Sequence, residues 1–130
     1  MILNMANSAK IINDSEMKNE KMTSCGKLKV HFADDFREVV VNRIDTGCST
    51  KSHYHNKETQ IYLIVEGEGL MKIKNKRTGK VESKNVCSLS TILIPPNHVH
   101  QLINIGSSVL VHYEICTPPW REDDELFEEF

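Results

Sequence analysis

The chain has 130 residues, 39% of them hydrophobic and 26% charged, and 16 basic side chains against 18 acidic ones leave a net charge of −2. That length makes one domain, and the near-neutral balance excludes the dense basic surface of a nucleic-acid binder. No apolar run reaches the roughly 20 residues that span a bilayer, and residues 1–10 lack the basic start and apolar core of a signal peptide, so a cytoplasmic protein is expected.

Residues 1–24 are rich in Asn, Lys, Ser and Met and contain no aromatic side chain. This composition predicts a flexible arm, or a segment ordered only by docking on something else. From Gly26 onward short β-like runs alternate with turn signals. Residues 38–44 (EVVVNRI) are rich in β-branched side chains and end at Asp45-Thr46-Gly47. Residues 59–65 (TQIYLIV) form a second apolar run closed by Gly67 and Gly69. Runs at 70–74, 81–87, 91–94, 99–105 and 108–115 follow. Strands this short, at this spacing, predict an all-β sandwich or barrel over residues 25–130.

The 59–65 strand is apolar on both faces: Gln60, Tyr62 and Ile64 on one, Ile61, Leu63 and Val65 on the other. Such a strand needs cover on both sides. A barrel interior supplies one; a partner subunit or the N-terminal arm must supply the second, so a homodimer is expected. Pro118-Pro119 stops the last strand, and the acidic end 121–130 (REDDELFEEF) is expected either as a short helix or as a solvated tail. The cysteines Cys25, Cys48, Cys87 and Cys116 form no C-x-x-C pair and are expected as free thiols.

Histidine is unevenly distributed. Four of the six lie in His53-Tyr54-His55 and His98-Val99-His100. Two histidines at i and i+2 on a strand project to the same side, where their imidazoles can converge on one ion. The bland alternative for each pair is a surface or satisfied core histidine. Tyr62 should point into the barrel as a core tyrosine or a ligand-orienting phenol. His98 fits the cavity mouth or the surface equally. His112 is expected outward; turned inward, it would be a pocket acid or base.

These residues carry a resemblance. The stretch from Gly47 to Gly67 (GCSTKSHYHNKETQIYLIVEG) resembles the first motif of the cupin family, G-x5-H-x-H-x3,4-E-x6-G, with Gly47, His53, His55 and Gly67 in register and Gln60 in the Glu slot. The stretch from Leu89 to Asn104 (LSTILIPPNHVHQLIN) is similar to the second, G-x5-P-x-G-x2-H-x3-N, with Pro95, His100 and Asn104 matching and Leu89 and Asn97 standing at the glycines. The similarity is to small single-domain cupins. It implies a cupin double-stranded β-helix, a jelly-roll-like barrel of two antiparallel sheets. It also implies one divalent transition metal (Fe, Zn, Ni or Mn) held by His53, His55 and His100, with Gln60 in the fourth position. Glu58, two residues earlier and of the same face parity, is an alternative acid. The implied function is metal-dependent chemistry on a small molecule, either dioxygenase-type or Lewis-acid (isomerase, cyclase or lyase). The runner-up is a non-catalytic binding or sensing cupin with weak or lost metal binding.

Overall fold

A computed structural model describes residues 8–130. Eleven strands among the described residues build two facing sheets. In chain order they are β1 (Lys21–Thr23), β2 (Gly26–Ala33), β3 (Glu38–Ile44), β4 (His53–Tyr54), β5 (Thr59–Glu66), β6 (Gly69–Asn75), β7 (Val81–Val86), β8 (Thr91–Ile94), β9 (His98–Asn104), β10 (Leu110–Thr117) and β11 (Leu126–Phe127). One sheet runs β1-β2-β3-β10-β5-β8, the other β11-β4-β9-β6-β7, and every pairing is antiparallel. Among the described residues the only helical turns are Asp14–Glu16 and Glu122–Asp124, both 3-10 turns of three residues. None of the described helices is long and apolar enough to cross a membrane.

Period-2 alternation decides what goes inside. On β5 the inward set Gln60, Tyr62 and Ile64 is buried, while Ile61 and Leu63 are only half-buried. At one end of the barrel Ile44, Ile64, Met71, Ile92, Leu102 and Leu110 close into an apolar core. At the other end the inward positions carry His53, His55, His100, Gln60, His112 and Glu114 instead. The apolar end supplies the burial that stabilises the fold, on the order of 1.5–3 kcal/mol for each large side chain. The polar end is left for chemistry.

The described part of the arm and the tail both dock on the barrel. Residues 1–7 lie outside the described part of the arm. From residue 8 on, the segment lies against the outer face of the first sheet. Asp14 forms ion pairs with Lys29, His31 and Arg43, and β1 pairs in register with β2. Lys29, His31 and Arg43 of β2 and β3 project outward, and one carboxylate from the arm answers all three. The acidic tail forms no α-helix. Its 3-10 turn is followed by β11, which pairs with β4, and Glu128 bridges Lys74 and Lys76. Lys51 and Lys72 stand over the rings of Phe127 and Phe130.

Candidate metal centre

His53 lies in β4 and His55 just beyond it, two residues apart and therefore on one face. His100 sits directly opposite His53 in the β4–β9 ladder. Cross-strand partners bring their side chains together, and the rings stand 4.3 Å apart between centroids for His53 and His100, 5.2 Å for His53 and His55. One ligating nitrogen from each of the three lies within 4.8 Å of the other two.

The backbone fixes the tautomers. His53 Nδ1 lies 2.6 Å from the Lys51 carbonyl, His55 Nδ1 2.7 Å from the Asp124 carbonyl, and His100 Nδ1 2.9 Å from the His98 carbonyl. A carbonyl only accepts, so each Nδ1 carries the proton and each Nε2 keeps its lone pair. The Nε2 atoms of His55 and His100 are buried with no hydrogen-bond partner. Burial, reinforced by the charge of His53 and His55, pushes the His100 pKa down to about 3; burial and His53 also lower that of His55. Neutral imidazoles with oriented, unpartnered Nε2 atoms are the form that binds a transition metal. The residues present therefore fit the metal that the cupin resemblance implies.

The other expected positions distribute as follows. Gln60 is buried and lines the same cavity as His53 and His55. Its Oε1 is 3.5 Å from the Tyr62 hydroxyl and its Nε2 3.5 Å from Cys116 Sγ. Tyr62 points inward as expected, its ring between His100 and His112. His98 is half-buried, bound to the Pro96 carbonyl, and stands outside the three-histidine cluster. The expectation for His112 is corrected. It is fully buried, because it shares the face of Leu110, a core residue two positions earlier.

Two carboxylates, Glu114 and Asp124, had no role in the sequence reading, and a third, Glu58, entered it only as an alternative acid. Glu114 lines the cavity and accepts from His112 Nε2 at 2.9 Å and Asn42 Nδ2 at 3.4 Å. Burial alone would raise its pKa, but the His112 hydrogen bond and charge, with His53 and Asn42, hold it at about 2. Asp124 from the tail is buried, and its carboxylate accepts from the backbone N–H groups of Asn56, Lys57 and Glu58 while its own carbonyl holds His55. Glu58 is 1% exposed, neither of its carboxylate oxygens has a hydrogen-bond partner, and Oε2 lies 3.4 Å from His55 Nε2. Burial and the charges of Glu114 and Asp124 push its pKa to about 8. The cavity itself has a volume of about 420 Å³, in the range that holds a small molecule.

Residues 26–124 match the family described as the polysaccharide biosynthesis C-terminal domain. This chain belongs to that family. An uncharacterised protein of Methanocaldococcus jannaschii is 37% identical over 86 residues, 65% of this chain and 64% of that protein. CapF of Staphylococcus aureus, described as a capsular polysaccharide assembling protein, superposes with a TM-score of 0.78 at 20% identity, over 85% of this chain and 34% of CapF. KdgF of a Halomonas species superposes with a TM-score of 0.74 at 16% identity, over 89% of this chain and 98% of KdgF. The oxalate decarboxylase of Lactobacillus farciminis gives 0.74 at 18% identity, over 87% of this chain and 34% of the decarboxylase. The chain thus spans about a third of CapF and under two thirds of the archaeal relative. At these structural identities the likeness is one of fold: the barrel has the cupin fold. The family, however, is the polysaccharide biosynthesis domain rather than the small single-domain cupins of the motif resemblance.

Proposed function

We propose that this chain is a metal-dependent cupin that acts on a carbohydrate or sugar-derived small molecule during polysaccharide biosynthesis, by Lewis-acid chemistry of the isomerase type. The observation that carries this is the convergence of three histidines, His53, His55 and His100, beside a cavity that also presents an ionised Glu114. The substrate class is supported by the family and by CapF, one crystal form of which holds the inhibitor 3-isopropenyl-tropolone.

The three imidazoles would hold the metal, which when bound supplies a Lewis acid for hydroxyl or carbonyl oxygens of the substrate. Glu58 completes the set in place of Gln60. Its carboxylate is the one without partners, it already faces His55 Nε2, and it brings the negative charge that three neutral ligands lack. Gln60 keeps to the cavity wall beside Tyr62 and Cys116. Glu114, oriented by His112 and Asn42, offers a fixed acceptor to a substrate hydroxyl. The apolar end of the barrel excludes water beyond the site.

Elemental mass spectrometry of protein purified without chelator or histidine tag tests this. Near-stoichiometric zinc, nickel, iron or manganese is expected, lost in His100→Ala while the β-sheet circular dichroism persists. Absence of metal with no uptake on reconstitution would sink the proposal and favour a metal-free binding cupin. Oxygen consumption by an iron-loaded form with a chelating substrate would replace isomerase-type chemistry by dioxygenase chemistry.

A further inference from the structure

The lining of the cavity includes two lips that are distant in sequence. Thr23, Ser24 and Cys25, at the turn between β1 and β2, make one lip; Ser49, Thr50 and Lys51, on the loop that leads into β4 and His53, make the other. Gly26 holds the first lip against β3. It pairs with Ile44 at φ +151°, and a Cβ there would collide with the Arg43 carbonyl. The next pairing continues the ladder, with Asp45 N–H donating to the Cys25 carbonyl at 2.9 Å. The chain then turns, and Cys48 N–H donates to the Asp45 carbonyl at 3.2 Å. Cys25 and Cys48 are thereby brought side by side through Asp45, and the Cys48 thiol hydrogen-bonds with the Cys25 sulfur. Both cysteines are half-buried and free. Cys25 opens on the cavity, whereas Cys48 packs against the apolar core.

We propose that Cys25 and Cys48 are a redox-active dithiol that closes to a disulfide by exchange with a small-molecule disulfide of the glutathione type, clamping the two lips of the cavity together. Cys25, the cavity-facing thiol, loses its proton and attacks one sulfur of the small disulfide. A mixed disulfide forms on Cys25 and one small thiol leaves. Cys48 then loses its proton and attacks the Cys25 sulfur, forming the Cys25–Cys48 bond and releasing the second small thiol. The protein dithiol is oxidised by two electrons, and the small disulfide is reduced to two thiols. Cys48 suits the second step: it packs against the apolar core, away from the cavity that admits the small disulfide, but lies beside the sulfur it must attack. Cys116 is buried and Cys87 stands on the surface, so each is separated from this pair by its environment. The clamp concerns the wall of the cavity and stands whether or not the histidines hold a metal.

The test uses the full chain in glutathione buffers from reducing to oxidising. At the oxidising end two of the four thiols are expected to be lost together. Peptide mapping should find Cys25 linked to Cys48, and the reductant should reverse the linkage. Amide hydrogen exchange over residues 21–26 and 45–53 should slow in the oxidised form. In Cys25→Ser, and independently in Cys48→Ser, the linkage should disappear, with the remaining member of the pair carrying a glutathione adduct. Separate stable adducts on Cys25 and Cys48 in the unsubstituted protein, linkage to Cys87, or no loss of thiols would overturn the dithiol. A linkage that leaves amide exchange unchanged would overturn the clamp.

Discussion

Two carboxylates set the outside and the inside of this barrel apart. Asp14 lies on the outer face with Lys29, His31 and Arg43 around it. Burial alone would raise its pKa, but the hydrogen bonds of Arg43 and His31 and the charges of Arg43 and Lys29 hold it at about 2. Glu58 lies on the inside with no hydrogen-bond partner for either oxygen, and its pKa is pushed up to about 8. The first arrangement favours the folded state and the second opposes it. A fold that keeps an unsatisfied buried acid beside an unsatisfied histidine nitrogen has traded stability for a site that a cation would complete.

Glu58→Gln should show the largest effect of the variants that separate these regions. A carboxyl whose folded pKa is raised destabilises the protein progressively as pH rises from the unfolded value, near 4.5, to about 8. In metal-free protein the variant should therefore match the parent near pH 4 and exceed it above pH 8, by on the order of 5 kcal/mol. Metal affinity should move the other way, falling by at least about 10–100-fold, the range seen for partners one layer further out. Urea unfolding across pH and a cobalt titration read the two effects. An equal affinity in Glu58→Gln, with a loss in Gln60→Ala, would hand the fourth position back to Gln60.

Asp124→Ala comes next. It removes the acceptor for three backbone N–H groups in the turn between His55 and Glu58. Leaving buried donors unmet costs about 1–3 kcal/mol. Because the same tail residue holds His55 through its carbonyl, metal affinity should fall as well. Calorimetry and metal titration on the same sample check both. A variant that loses neither would detach the tail from the site.

How far the sequence announced this site depends on the range of the contacts involved. The histidine pairs were legible because i, i+2 spacing on a strand is a local rule, and Gly47, His53, His55, Pro95, His100 and Asn104 keep motif spacing. The strands at 38–44, 59–65 and 91–94 were legible from β-branched runs between turn residues. The role of Asp124 was not, since a run of acids at a chain end gives no sign of which carboxylate folds back onto which turn. Glu58 was visible only as an alternative, because sequence parity gives its face but not its burial. His112 was misjudged on its polarity, although its shared face with Leu110 was the better signal. The short strands β1, β4 and β11 have too few residues to show a period, and pairing with their neighbours defines them.

Asp14→Asn tests the outer network and should act with the opposite sign to Glu58→Gln. The folded pKa of Asp14 is lowered, so its contribution is present above about pH 4 and is lost as pH falls toward 2. With its side chain 25% exposed, solvent screening reduces the full shift to roughly 1 kcal/mol. The variant should lose that much at pH 7 and nothing at pH 2, with metal affinity unchanged. Urea unfolding at the two pH values reads it, and an equal loss at both would remove Asp14 from any electrostatic role.

The smallest expected effect lies at the two motif positions where glycine is usual. Leu89 and Asn97 both hold positive φ, +74° and +63°. The backbone at these turns is therefore the one a glycine would adopt, although neither residue is glycine. Asn tolerates that region; a leucine there is strained by about 1–2 kcal/mol. Leu89 is 92% exposed, so its side chain returns little through packing. Leu89→Gly relieves the strain but adds chain entropy to the unfolded state, about 0.5–1 kcal/mol. The variant should gain roughly 0.5 kcal/mol, a small upward shift in Tm, with no change at the histidine cluster. A loss of stability would mean that the Leu89 side chain is held by something outside this chain's own fold.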